Sequence, residues 1–117
     1  MIAFLRGTVN SITENSFIID CNNIGYEINA SVNTLNQLSQ GDEILVLTYM
    51  AVKEDGISLY GFLEKEEKEL FLQIITVSGI GPKLALGILS GLSFKSLESA
   101  IATGDIKLIS SIKGVGK

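Results

Sequence analysis

Two periodicities divide the chain. Up to Phe62, apolar residues recur in short runs, Ile2–Ile12, Ser16–Cys21, Ile24–Ala30, Glu43–Val52 and Ile57–Phe62, rich in Val, Ile, Tyr, Phe and Thr. Such side chains suit a pleated, half-buried surface, so each run predicts a strand. Between the runs stand Glu14-Asn15, Asn22-Asn23, Gln40-Gly41-Asp42 and Glu54-Asp55-Gly56, all of them turn chemistry. Ser31–Leu38 differs. Its Val32, Leu35 and Leu38 recur every third residue, which predicts a short helix between the third and fourth strands. Five short strands with a helix at that place match an OB-type Greek-key barrel, although an SH3-like barrel or a plain sandwich has similar spacing.

After Phe62 the period lengthens. Glu64–Val77 opens with Glu64, Glu66, Glu67 and Glu69, favourable near a helix N-terminus, and continues with Leu70, Phe71, Ile74, Ile75 and Val77 on one face. Pro82–Ser90 begins with proline where a missing N–H costs nothing, and Gly91 stops it. Ser93 can cap a helix over Phe94–Ala102, and Asp105 one over Ile106–Ile112. The pattern predicts an α+β chain of two domains. Residues 1–62 form a five-stranded OB-type β-barrel and residues 63–117 an all-α domain.

One phrase occurs twice in the helical part. Ser78-Gly79-Ile80-Gly81-Pro82-Lys83 is echoed by Lys113-Gly114-Val115-Gly116-Lys117, and each copy follows an apolar helical run. Helix, Gly-apolar-Gly turn, helix is the helix-hairpin-helix arrangement, with Ile80 and Val115 directed inward to lock the helices. The glycines permit a tight turn that bares backbone N–H groups at the positive end of the next helix. The amides of Gly79, Gly81, Gly114 and Gly116 then suit a phosphate oxygen, and Lys83 and Lys117 add charge. Such contacts grip a nucleic-acid backbone without reading bases. A single copy is equally compatible with an ordinary helix–helix turn, because glycine is common at helix ends. The repetition favours phosphate.

The formal net charge of −4, taken alone, argues against a nucleic-acid partner, but its distribution changes that. Residues 1–62 set Arg6 and Lys53 against Glu14, Asp20, Glu27, Asp42, Glu43, Glu54 and Asp55. Residues 71–117 set Lys83, Lys95, Lys107, Lys113 and Lys117 against only Glu98 and Asp105. The second part therefore attracts phosphate while the first repels it. The Glu54-Asp55 tip has two readings at this level. It is a polar hairpin loop, or part of a metal site for nuclease chemistry, though the chain has no histidine and no third carboxylate at convincing spacing.

Other chemistry is thin. No Gly-x-x-x-x-Gly-Lys-Ser/Thr phosphate loop occurs, so no nucleotide cofactor is expected and ATP hydrolysis would belong to a partner. No nucleophile–base pair is visible, and catalytic, metal and cofactor sites are all read as none. Cys21, the single cysteine, excludes an internal disulfide and reads as a small packing residue. No apolar run approaches the roughly 18 residues of a membrane span, and the opening MIAFLRGTVN lacks the form of a secretory signal. A cytoplasmic location without membrane contact is the expectation.

Taken together, the ordered motifs resemble the RuvA family, the DNA-binding subunits of the bacterial RuvAB Holliday-junction branch-migration complex. They are Met1–Gly7, Gly25-Tyr26-Glu27, Lys53-Glu54-Asp55, Leu59-Tyr60-Gly61-Phe62, Glu69-Leu70-Phe71, Gly79–Leu86, Ile88–Gly91 and Lys113–Lys117. The resemblance covers essentially the whole chain. It implies a non-catalytic, structure-specific binder of four-way junction DNA in recombination and repair, working as a homotetramer. Within a helicase complex, a RuvB-like hexameric ATPase motor and a RuvC-like resolvase are the family's partners. Glu54 and Asp55 would match its acidic pin at the crossover. Members of the family continue past the second glycine phrase to a motor-binding domain, so motor binding is expected to be lost from these 117 residues and the second motif to be truncated. Two other functions stay open: a metal-dependent nuclease using Glu54 and Asp55, and an OB module that binds only protein.

Overall fold

The computed structural model describes residues 1–77 and 79–91. Five strands, β1 (Phe4–Ile12), β2 (Ser16–Cys21), β3 (Ile24–Asn29), β4 (Glu43–Lys53) and β5 (Gly56–Phe62), close into a barrel in the order β1-β2-β3-β5-β4. Neighbours are antiparallel except β3 and β5, which run parallel through Ile28↔Leu59 and Asn29↔Tyr60. This is the OB-type topology, so the alternation in the sequence does resolve to a closed barrel. Closure removes free sheet edges.

Local chemistry explains the turns. Asn22 and Asn23 both have positive φ, 52° and 72°, as a two-residue hairpin requires, and the Asp20 carboxylate accepts the Asn23 N–H at 2.9 Å. In the β4–β5 hairpin, Lys53 pairs with Gly56 across the Glu54-Asp55 turn. Gly61 allows the wall to close. A Cβ there would stand 2.4 Å from Ile28 Cγ2 and 2.8 Å from Val46 Cγ2.

The barrel core gathers Val9, Phe17, Ile19, Ile28, Val46 and Leu59, with Leu35 and Leu38 covering one end. Those last two come from the short helix α1 (Val32–Leu35) and the turn after it. The regular helix is shorter than the 31–38 span that the spacing predicts. Ser31 caps it by accepting the Thr34 N–H at 3.2 Å, and after Asn36 the chain tightens into three-residue bonds, Gln37 N–H to Thr34 and Leu38 N–H to Leu35. The first strand likewise begins at Phe4, not Ile2; the carbonyls of Ile2 and Ala3 are instead taken by the Thr48 hydroxyl and N–H.

Two helices follow, α2 (Lys65–Ile75) and α3 (Pro82–Gly91). They build a second core from Leu70, Phe71, Ile74, Ile80, Ala85, Leu86, Ile88 and Leu89, and the barrel wall supplies Ala51, Tyr60 and Phe62 to it. Phe71 is the hub, with ring centroids of Phe62, Tyr49 and Tyr60 at 4.8, 5.5 and 5.8 Å. Tilted aromatic contacts of this kind add to area burial and fix angles. The helices expected over Phe94–Ala102 and Ile106–Ile112 lie outside the described residues.

Candidate nucleic-acid interface

Helix α2 ends at Ile75, and the chain turns through Gly79, whose φ of +85° favours glycine. The Ile80 N–H bonds to the Val77 carbonyl at 3.1 Å, and its side chain, 8% exposed, enters the α2–α3 core. Gly79 and Gly81 on either side are exposed. Among the described residues neither glycine amide takes a hydrogen bond. The Gly81 carbonyl accepts the Ala85 N–H at 3.0 Å, the first bond of α3, which makes Gly81 its N-cap. Pro82 follows as the first helical residue, and Lys83 stands exposed in the first turn. Amides, the positive end of a ten-residue helix and an ammonium group therefore share one surface.

Glu54 and Asp55 occupy the exposed tip of the β4–β5 hairpin. Below them Val52 and Ile57, a cross-strand pair, are also exposed. A groove of about 370 Å³ is lined by Lys53 and Asp55 of this hairpin and by Lys83 of the first turn of α3. Asn29, Ser58 and Tyr60 line it as well. A larger groove of about 530 Å³ opens from the same Asn29, Tyr60 and Lys83 toward Glu14, Glu27 and Ser90. The fold thus brings a carboxylate of the tip and the lysine beside the glycine turn to one groove. Gly114, Val115, Gly116 and Lys117 lie outside the described residues. Among the described residues no group of three His, Cys, Asp or Glu could hold a metal ion, so the nuclease reading gains no ligand set from Glu54 and Asp55.

One residue escaped the sequence reading. Glu67, counted there only among the glutamates favourable near a helix start, is 5% exposed. Its carboxylate accepts the hydroxyls of Ser31 and Thr34, each at 3.2 Å, and so ties α2 to the cap of α1. Burial pushes its pKa up, the two hydroxyls oppose that, and the Glu64 charge adds to it. Helix α3 is held to the same small helix: the Val32 N–H donates to Ser90 Oγ at 3.1 Å and the Asn33 amide to the Leu89 carbonyl at 3.3 Å. Spacing held the clue, since Glu67 precedes Leu70, Phe71 and Ile74 by three, four and seven residues and so shares their apolar face.

A closed OB-type barrel followed by a helix-hairpin-helix turn defines the class: a small β-barrel module joined to a helical module with an amide-rich glycine bend. The RuvA N terminal domain family matches residues 1–61, and the chain belongs to that family. A SAM-like helix-hairpin-helix tandem matches residues 71–117. Similar proteins include the Holliday junction branch migration complex subunit RuvA of Corynebacterium glutamicum strain R, 50% identical over 117 residues. That of Alkaliphilus oremlandii is 43% identical over 117 residues, and that of Bdellovibrio bacteriovorus 44% over 119. All of this chain is covered in each, against 57%, 60% and 61% of those proteins, so the chain spans about three-fifths of the curated relatives it matches.

Proposed function

We propose that this chain binds four-way DNA junctions by their shape and holds them open for branch migration by a separate ATP-driven motor, in recombination and repair. The observation that carries the reading is one groove lined both by Asp55 of the acidic hairpin tip and by Lys83 of the first turn of α3. The relatives named for a Holliday junction branch migration complex, identical at 43–50% of positions, support it. The matched families support a division into two units, residues 1–62 and 63–117, although Ala51, Tyr60 and Phe62 lend one wall of the barrel to the helical core.

The mechanism follows from opposed charges. At the turn, bare amides and Lys83 hold the backbone of an arm, a sequence-independent attraction that salt weakens. At the tip, carboxylates repel phosphates at the crossover. A carboxylate about 6 Å from a phosphate costs only about 0.7 kcal/mol in water, and more where solvent is displaced. Four copies around the crossover, as a homotetramer, would bring eight carboxylates together and disfavour a stacked junction. Gly114, Val115, Gly116 and Lys117 would supply a second grip on each arm. The location consistent with this work is the cytoplasm, and among the described residues no helix is long and apolar enough to cross a membrane.

Gel-shift titration of a four-way junction against a linear duplex of equal length tests the reading. The expected result is preferential binding of the junction, weakening steeply with salt. Equal affinity for both DNAs, or no shift at low salt, refutes it.

A further inference from the structure

Tyr60 is the least expected member of the groove. Its ring is fixed by Phe71 at 5.8 Å and Tyr49 at 6.5 Å, and only 7% of the residue is exposed. A tyrosine buried to that degree normally finds a hydrogen-bond partner for its hydroxyl. Among the described residues this hydroxyl has none, yet no fully buried side-chain polar atom is left without one. The hydroxyl therefore reaches solvent, and Tyr60 reaches solvent where it lines both grooves.

The surroundings select the ligand. In the smaller groove Lys53 and Lys83 face one carboxylate, Asp55; in the larger, Lys83 faces both Glu14 and Glu27. An anion is favoured in the first and disfavoured in the second. Burial, and then the neighbouring Tyr49, push the Tyr60 pKa up, which keeps the phenol protonated and able to donate. Asn29 donates one of its two amide hydrogens to the Leu59 carbonyl at 3.0 Å, which fixes its position on the groove wall.

We propose that the Tyr60 hydroxyl, with the ammonium groups of Lys53 and Lys83, forms a phosphodiester subsite between the acidic tip and the glycine turn. It rests on the junction-binding reading above and adds a backbone contact from the barrel wall. One strand leaving the crossover would be held there before it meets the turn. A rigid, neutral donor between two flexible cations fixes the position of a phosphate oxygen, which cations alone do not.

The test uses Tyr60→Phe, which keeps the ring and its aromatic packing. Binding is measured on a four-way junction and on junctions carrying one neutral methylphosphonate, scanned along one strand from the crossover. For wild-type protein, one linkage near the crossover should cost about tenfold in affinity, the size of a lost hydrogen bond to a charged group. Tyr60→Phe should lose about tenfold on the unmodified junction and be less sensitive than wild type to the change at that linkage. Equal binding by Tyr60→Phe, unchanged sensitivity at that linkage, or no sensitive linkage for wild type overturns the subsite. Wild-type protein that does not prefer the junction over linear DNA overturns the underlying reading instead. Should Tyr60→Phe melt well below wild type, Lys53→Ala, at an exposed strand end, carries the same linkage test with the same two outcomes.

Discussion

Replacing Lys83 with alanine separates attraction from fold. The side chain is exposed in the first turn of α3, where alanine is the better helix former, so stability should hold. Its contribution to binding is counterion release, and each phosphate neutralised on duplex DNA adds about 0.9 to the slope of log K against log salt. Between 50 and 200 mM salt, one lost contact would reduce the fall in affinity by about 3.5-fold. In a tetramer with four arms engaged, four contacts vanish together. The slope should then flatten by about 3.6, or more than 100-fold over the same range. Fluorescence anisotropy of a labelled junction across that series reads the slope directly, and Lys83→Arg should restore it. The size of the change thereby counts the engaged copies. An unchanged slope in Lys83→Ala would show that this lysine does not meet phosphate and would remove the charge argument for the glycine turn.

Other perturbations follow from the same geometry. Converting Glu54 and Asp55 to Gln and Asn should tighten junction binding by about threefold or more per relieved charge pair, from the ~0.7 kcal/mol above, and reduce opening of the crossover seen with 2-aminopurine; weaker binding contradicts a repulsive tip. Glu67, whose folded pKa is raised by burial, stabilises the fold fully only below its unfolded pKa, and that contribution is lost as pH rises through the folded value. Urea melts of Glu67→Gln and wild type should therefore diverge in favour of the variant as pH climbs from 4 to 7, and a pH-independent difference would contradict this. Gly61→Ala forces a methyl into Ile28 and Val46 and should cost about 1–3 kcal/mol in a urea melt, whereas an unchanged midpoint would mean that the barrel wall gives way freely.

Much of the architecture is legible in the residues because the barrel is built from regular alternation and its turns from asparagine, aspartate and glycine. The Asn22-Asn23 hairpin and the proline start of α3 are local decisions, and local chemistry reveals them. What the sequence conceals depends on long-range approach. Glu67 is one glutamate among four until α1, more than 30 residues earlier, brings two hydroxyls to it. Tyr60 looks like any strand aromatic, and only the packing of Phe71 against its ring leaves its hydroxyl at the meeting of two grooves. The candidate site was half visible for the same reason. Its two parts are motifs, but the groove they share is made by barrel closure and the docking of α3, which no spacing encodes.

The central claim is that the hairpin tip and the glycine turn hold different parts of one junction. An iron–EDTA probe tethered at position 55 or at position 83, with Cys21 replaced by serine, cleaves DNA wherever the probe lies. The account predicts cuts at the crossover from position 55 and cuts along the arms from position 83. Identical cleavage from both positions, or cleavage from position 55 confined to the arms, would contradict it.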